Sequence, residues 1–193
     1  MSLKLYSIDT NYVDFLRRDQ RLLNVFDNKD TDNSHGRKYL GILLSVEGHD
    51  FYAPLSSPKD TDYLDQQHRL IRKSILPIIR ITKKNASGER ELLGTIKLSN
   101  MIRVPNGVSI AYDISFAPDL NYRNLVWKEY SFIVANEKMI LSSARALYRQ
   151  KIGENDFEKR GEKKPGYLKS TVDFSYALER CLAYLPLPPN KKN

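Results

Sequence analysis

Residues 39–59, YLGILLSVEGHDFYAPLSSPK, determine the fold that the sequence predicts. Two apolar runs, rich in branched and aromatic side chains, flank the polar residues 47–50, in which Gly48 tolerates the positive φ of a tight turn. This pattern predicts a β-hairpin. Its second strand stops at residues 56–59 (Ser-Ser-Pro-Lys), which we call the Ser-Lys segment. A rigid scaffold would hold two hydroxyls and one amine there, where they can be directed at a ligand.

A polar loop precedes the hairpin. Residues 28–37 contain turn formers and almost nothing to bury, so they predict a surface loop that carries His35, Arg37 and Lys38 to the first strand. In a hairpin the start of the first strand lies beside the end of the second strand. We therefore expect these three side chains to approach the Ser-Lys segment.

The length and composition predict one globular domain over residues 1–193. A chain of 193 residues with 41% hydrophobic and 10% aromatic residues is long enough for one sizeable core. We find no secretory signal and no apolar run near the ~20 residues of a membrane span. The single cysteine, Cys181, fits a reducing compartment and, within a helical pattern, a packed side chain. We expect a cytoplasmic protein without a membrane partner, with a disordered tail from about residue 186 to 193.

The remaining sequence predicts further strands, then helices. Alternating residues indicate strands near 3–8, 75–82 and 91–98, and residues 85–88 between the last two form a turn. Helical spacing indicates helices at about 11–24 and 121–151, the second broken near Asn136, and a final helix that ends at Pro186. Two helix starts resemble capping boxes: Asn11 with Asp14, and Ser170 with Asp173. The charged residues 154–166 predict a mobile loop. The class is therefore α+β, a strongly bent antiparallel sheet covered by helices, with the long ones in the carboxy-terminal half.

The net charge favours a polyanionic partner. Lys and Arg number 31 against 23 Asp and Glu, a net charge of +8, and positive potential attracts phosphate chains. Part of this charge falls on a short helix or flap after the hairpin, and part at the tip of the next hairpin; a solvated surface explains these residues equally well. The candidate RNA-binding residues are Lys38, Arg69, Arg72, Lys73, Lys83 and Lys84.

Several enzyme classes are excluded by missing motifs. The sequence has no phosphate-binding Gly-rich loop, no Gly-x-Ser-x-Gly elbow, no His-Glu-x-x-His and no paired cysteines, and its three histidines lack metal-ligand spacing. We therefore expect no metal and no cofactor. What remains is the cluster of candidate catalytic residues His35, Arg37, Ser56, Ser57 and Lys59.

This cluster fits two chemistries. A Ser-Lys pair can transfer acyl groups, and hydroxyls with cations can catalyse phosphoryl transfer in RNA, where the 2′-OH is the nucleophile and the protein stabilises the phosphorane charge. The basic surroundings favour RNA, since acyl transfer has no need of them. A non-catalytic RNA-binding module stays an alternative.

The hairpin also resembles a known family. Residues 38–43, 47–49 and 52–59 are similar to the signature of the type III toxin-antitoxin endoribonucleases, the ToxN and AbiQ family. The likeness continues in order through the chain. It includes residues 5–8, 12–16, 93–98, 101–102, 122–136 and 173–175.

The resemblance implies a fold, an activity and partners. It implies a sheet-and-helix fold with a core similar to the barrel of the Kid and MazF toxins. It implies a metal-independent endoribonuclease that cleaves single-stranded cellular or phage RNA through 2′-OH attack, leaving a 2′,3′-cyclic phosphate, and that acts in abortive infection. The implied antitoxin is a small tandem-repeat RNA, processed by the toxin and bound as a pseudoknot in a multimeric toxin-RNA assembly.

The resemblance also implies roles for individual residues. Ser57 and Lys59 match the family's serine and lysine, and Ser56 stands where many members have threonine; the hydroxyls would bind the scissile phosphate and Lys59 would offset its charge. Arg37 aligns with a basic residue expected to be lysine. Arginine keeps the charge but stays protonated, so it is a poor proton shuttle. His35 is therefore a candidate general base.

Overall fold

The computed structural model describes residues 3–25, 40–117 and 119–184. These contain an antiparallel sheet and helices that pack on it. The strands are β1 (Leu5–Ile8), β2 (Leu40–Val46), β3 (His49–Ser56), β4 (Ile78–Lys84), β5 (Arg90–Lys97), β6 (Ile102–Arg103) and β7 (Ser109–Ala111). The helices are α1 (Thr10–Arg17), α2 (Leu120–Ala135), α3 (Glu137–Ile152), α4 (Asp156–Lys159) and α5 (Phe174–Ala183). The α+β class, with its long helices in the second half, is confirmed.

The sheet has β3 at its centre. The strand order is β4-β5-β3-β2-β1-β7, and β6 pairs with the first half of β3 on the edge that β5 occupies farther along. The end strands β4 and β7 do not pair with each other within the described ranges, so the sheet stays open. The closed barrel expected from the Kid and MazF toxins is not confirmed. The predicted tail, 186–193, lies outside the described residues.

The predicted hairpin is present, but its turn is tighter than expected. Glu47 and Gly48 have φ values of 48° and 78°, so two left-handed residues make the whole connection. His49 and Asp50, predicted to lie in the turn, instead pair with Val46 and Ser45 as strand residues. Because Glu47 and Gly48 alone complete the turn, the strands pair up to Val46 on one side and from His49 on the other.

The first helix is shorter than predicted. α1 ends at Arg17, and a separate 3-10 turn covers Gln20–Leu22. Asp9 and Asp19 each accept a hydrogen bond from a backbone N–H two residues later, at 2.9 and 3.0 Å, so each begins its own helical segment. The capping box predicted at Asn11 is therefore wrong.

The helices of the second half follow the prediction in part. α2 and α3 are separated at Asn136, as the sequence indicates. The capping box predicted at Ser170 is wrong, because Asp173 caps α5 by accepting from the Tyr176 N–H at 3.0 Å and Ser170 ends a 3-10 turn. Residues 154–166 are not a featureless loop. They contain α4, and Glu154 pairs with Lys164 at 2.8 Å.

The core fills the space between the sheet and the helices. Cys181 is buried there, as predicted, at 5% exposure. Helix α2 packs on β4 and β5, where it buries Val126 and Ile133. No helix in the described part of the chain is long and apolar enough to cross a membrane.

Candidate active site

The Ser-Lys segment continues directly from the centre of the sheet. Ser56 is the last residue of β3, is 4% exposed and pairs with Thr95 of β5. Its hydroxyl donates to the Ser57 carbonyl at 3.3 Å. Ser57 is half-buried and Lys59 is exposed. The segment thus leaves a buried strand and reaches solvent within three residues.

A 3-10 turn fixes the chain after Lys59. The Lys59 N–H donates to Asp62 Oδ2 at 3.1 Å, and the Asp62 N–H donates back to the Lys59 carbonyl at 2.8 Å. Asp62 itself is 2% exposed. Because both backbone groups of Lys59 bond to one buried residue, the end of the segment has a defined geometry.

A row of polar side chains crosses the sheet beside this turn. Ser56 pairs with Thr95, and Thr95 pairs with Arg80 of β4. Paired residues project from the same face, and so does Lys97, two residues after Thr95. Thr95 is fully buried and Arg80 is 6% exposed. We call this row of Ser56, Thr95, Arg80 and Lys97 the polar face.

Arg80 and Asp62 form a buried ion pair. Arg80 Nη2 lies 3.0 Å from Asp62 Oδ1, and Arg80 Nη1 donates to the Lys73 carbonyl at 2.7 Å. The Arg80 N–H donates to Ser74 Oγ at 2.8 Å. These bonds connect β4 to the turn after β3 and to the segment that leads into β4.

Lys97 is the second cation of the polar face. Burial lowers its pKa; the carboxylate of Asp62 opposes the shift, whereas the charges of Lys59 and Arg80 add to it. Lys97 is therefore close enough to Asp62, Lys59 and Arg80 to respond to their charges, and Arg80 contacts the carboxylate of Asp62 directly. The excess positive charge suits an anionic ligand.

A flap, residues 63–75, follows the turn. Its two arms meet at the bridge between Tyr63 and Ile71, and Asp65 closes the tip by accepting from the Arg69 and Leu70 N–H groups at 3.1 and 2.7 Å. The alternatives of a short helix or a flap are thus resolved in favour of the flap. The flap is stabilised by its own backbone and by Asp65.

The predicted cations of the flap are exposed. These are Arg69, Arg72 and Lys73. The Arg72 side chain donates from Nε to the Tyr63 carbonyl at 2.9 Å, and the Arg72 N–H donates to the Asp62 carbonyl at 2.9 Å, so Arg72 lies beside the turn. The flap therefore presents positive charge close to the turn that holds Lys59.

Comparison with known proteins identifies the family. A family model for the toxin ToxN of type III toxin-antitoxin systems matches residues 4–182. The chain belongs to the ToxN family. The resemblance read from the hairpin motif is confirmed.

Two curated ToxN relatives match over most of their length. The chain is 28% identical over 184 residues to the endoribonuclease ToxN of Bacillus thuringiensis subsp. kurstaki, covering 94% of this chain and 84% of that protein. It is 28% identical over 146 residues to the endoribonuclease ToxN of Pectobacterium atrosepticum, covering 75% and 79%. The predicted class, an endoribonuclease toxin of a type III system, is confirmed.

Solved ToxN-family structures share the fold. One, from work on selective toxin inhibition by a non-coding RNA pseudoknot, superposes with a TM-score of 0.70 at 23% identity over 95% of this chain and 98% of that one. Another is AbiQ, a lactococcal anti-phage endoribonuclease of a type III system, with a TM-score of 0.69 at 17% identity over 95% and 98%. At these identities the likeness supports the fold.

The structure brings together some predicted site residues of this ToxN-family chain. Ser56, Ser57 and Lys59 lie in one segment. Lys83 and Lys84 pair with Glu91 and Arg90 near the far end of β4. At about 3.3 Å per residue, Lys83 lies roughly 10 Å from Arg80 along the strand. These two lysines extend the basic surface away from the Ser-Lys segment.

Other predicted residues lie outside the described part of the chain. These are His35, Arg37 and Lys38. The hairpin register does place Gly41 opposite Pro54, so β2 begins at the end of the sheet where β3 finishes. The approach of His35 and Arg37 to Ser57 stays a prediction.

Sequence reasoning missed four polar residues of this site. Arg80 and Thr95 carry a weak signal, because each interrupts an apolar strand, as does Lys97 at the end of β5. A charge within such a strand indicates a partner or a ligand. Asp62 carries no signal of its own, since it stands in a run of polar residues.

Proposed function

We propose that this ToxN-family protein cleaves single-stranded RNA by attack of a 2′-OH on the adjacent phosphate, without a metal ion, leaving a 2′,3′-cyclic phosphate. One observation carries the proposal: the Ser-Lys segment leaves the end of β3 at a turn that fixes Lys59 through Asp62, beside the cations Arg80 and Lys97 of the polar face. Hydroxyls and cations held in advance are what stabilisation of a phosphorane requires.

The proposed step balances within the RNA. The 2′-oxygen forms a bond to phosphorus, the bond from phosphorus to the 5′-oxygen breaks, a base accepts the 2′-OH proton and an acid returns one to the 5′-oxygen. Lys59 offsets the charge on the non-bridging oxygens. His35 is our candidate for the base, and Arg37 for a second phosphate contact.

The two serines have different roles in this proposal. Ser57 is half-buried and follows the strand, which supports it as the hydroxyl that donates to the phosphate. Ser56 is buried and donates to the Ser57 carbonyl. We infer that Ser56 first orients Ser57, and contacts the phosphate only if its hydroxyl rotates.

The RNA partners follow from the family and the charge. The flap cations Arg69, Arg72 and Lys73 would bind RNA phosphates next to the cleavage site, and Lys83 and Lys84 would bind farther out. Lys38, expected beside the Ser-Lys segment, would add a further phosphate contact. We propose a small tandem-repeat RNA as the antitoxin, processed by this protein, folded as a pseudoknot and bound in a multimeric assembly. The function would be phage defence by one domain, residues 1–193, in the cytoplasm, where these RNAs occur.

The test is cleavage of end-labelled RNA by purified protein in excess chelator. We expect fragments that end in a cyclic phosphate. Ser57→Ala and Lys59→Ala should each slow cleavage by about two orders of magnitude, the scale of losing one charge-stabilising donor. Ser170→Ala and Lys159→Ala are matched controls, since both residues are exposed and belong to other elements, and should cleave at the parental rate.

Other outcomes separate the alternatives. Intact RNA that binds with a salt-dependent affinity would indicate a binding module, and no interaction with RNA would leave the acyl hydrolase. Parental rates in both variants would refute the proposed site. In the same assay, Arg69→Ala and Arg72→Ala should each reduce the salt slope of RNA binding by about 0.7, the value for one lost phosphate contact.

A further inference from the structure

The Arg80–Asp62 pair differs from an ordinary surface ion pair. Arg80 and Asp62 side chains are 6% and 2% exposed, whereas those of Arg149 and Glu47, paired at 2.8 Å, are 71% and 40% exposed. Burial of an ion pair is poor evidence for stability, because desolvation offsets the attraction between the charges. A buried pair can instead specify one arrangement of the chain.

This pair touches three separate segments. Asp62 uses one carboxylate oxygen for Arg80 and the other for the Lys59 N–H. Arg80 uses one outer nitrogen for Asp62, the other for the Lys73 carbonyl, and its backbone N–H for Ser74. The pair therefore joins the turn after β3, the end of the flap and strand β4.

We propose that Arg80 and Asp62 are positioning residues, which set Lys59 at the end of β3 and fix the flap beside it as one unit. The inference rests on the proposed function for its catalytic consequence. Misplacement of a catalytic group by about 1 Å can cost on the order of a hundredfold in rate. Neither residue needs to contact RNA for this effect.

Unpartnered donors beside the pair support a role in geometry. Arg80 Nε and Thr95 Oγ1 are buried and make no hydrogen bond within the described residues. An apolar pair of similar volume would avoid burying the Nε donor. We infer that a guanidinium stands here because its two outer nitrogens can bond to Asp62 and to the Lys73 carbonyl at the same time, which fixes the turn and the flap relative to β4.

Two conservative variants test the proposal. Asp62→Asn keeps the shape and removes the charge, and Arg80→Lys keeps the charge but cannot reach Asp62 and the Lys73 carbonyl together. We expect both to speed amide hydrogen exchange in residues 59–75 by about tenfold and to leave the β2–β3 amides unchanged. The kcat for RNA cleavage should fall about tenfold, with KM within twofold, because the flap cations remain.

The double variant and a surface control sharpen the test. If the two residues act through their contact, the double variant should be no slower than the slower single variant. Glu47→Gln removes the charge of an exposed pair and should change neither exchange nor kcat. If Asp62→Asn or Arg80→Lys fails to fold, Asp62→Leu with Arg80→Met restores apolar packing and should still show the faster exchange and the lower kcat.

Three results would overturn the proposal. One is parental exchange in residues 59–75. The second is faster exchange in that segment with an unchanged kcat. The third is faster exchange over the whole chain with an unchanged kcat for each folded molecule, which would mean that the pair affects only the stability of the fold. If the wild-type protein does not cleave RNA, the proposed function fails, and the exchange pattern alone decides whether the pair holds this segment.

Discussion

Strands β3, β5 and β4 have two faces of opposite chemistry. On one face Leu55, Ile96 and Ile79 pair across the strands and are at most 1% exposed, on the side that α2 covers. On the other, the polar face is covered by the segment from Asp62 to Ser74. Both faces are largely buried. Burial of an apolar group stabilises the folded protein, whereas burial of a polar group destabilises it unless the group is hydrogen-bonded. The polar face thus depends on the hydrogen bonds and ion pair that Arg80 makes, and it leaves Arg80 Nε and Thr95 Oγ1 without a partner within the described residues.

Helix α2 approaches the apolar face closely at Gly94. A Cβ at this position would lie 2.4 Å from Glu129 Oε1 and 3.0 Å from the Ser56 carbonyl oxygen. A larger residue would require the Glu129 side chain to move and the Ser56 carbonyl, which is backbone, to shift, so the limited space favours glycine.

The largest change in the free energy of unfolding is expected from a substitution on the apolar face. Ile96→Ala should lower the free energy of unfolding by about 3 kcal/mol, because it removes buried methyl groups and leaves a cavity. Chemical denaturation measures this change. The kcat of the molecules that remain folded should stay near the parental value; a loss as large as that of Ser57→Ala would mean that the two faces are not separable.

On the polar face we expect a substitution that increases the free energy of unfolding. Thr95→Val keeps the shape of the side chain and removes a buried hydroxyl that has no hydrogen-bond partner within the described residues. We expect the free energy of unfolding to rise by about 1 kcal/mol. Denaturation beside Ile96→Ala compares the two faces directly. A clear decrease would indicate that the hydroxyl has a partner, such as an ordered water.

The smallest effect is a dependence of stability on pH at Lys97. Its pKa is lowered from 10.5 in the folded protein, mainly by burial, so between the folded pKa and 10.5 the unfolded chain binds more protons. Stability from this residue therefore rises with pH across that window. We expect the wild type to gain stability relative to Lys97→Met as the pH is raised to about 10.5, as measured by thermal unfolding.

The Lys97→Arg variant keeps a positive charge that does not titrate, so it tests whether the pH dependence comes from loss of the proton on Lys97. Lys97→Arg stays protonated throughout this range and should lack the rise, as Lys97→Met does. A difference between wild type and Lys97→Met that stays flat with pH would show that Lys97 does not titrate in the window.

Features with a local cause were predictable from the sequence. The hairpin follows from two apolar runs around a glycine, and the break at Asn136 from a change in helical spacing. The helix starts were less predictable, because several residues near each start can act as a cap: Asp9 rather than Asn11 caps α1, and Asp19 starts a second turn. The Ser-Lys segment was found because its residues are consecutive.

The polar face was not predictable in the same way. Arg80 and Asp62 meet because β4 pairs with β5 and β5 with β3, a register that no local pattern specifies. Arginine and aspartate are also common at solvent-exposed positions, so their presence in the sequence does not predict a buried pair. The family resemblance gave roles to Ser57 and Lys59, but a signature of consecutive residues does not include the pairs that hold it in place.

The two-residue turn at Glu47 and Gly48 has a consequence for the order of folding. It joins β2 and β3 with minimal loop closure, so this hairpin is expected to form early. Ser56 meets Thr95 only after the whole flap and the β4–β5 hairpin have been synthesised and docked. The pairing of Ser56 with Thr95 and the ion pair of Arg80 with Asp62 are therefore expected to form late, and a nascent chain would contain the Ser-Lys segment well before the polar face beside it is assembled.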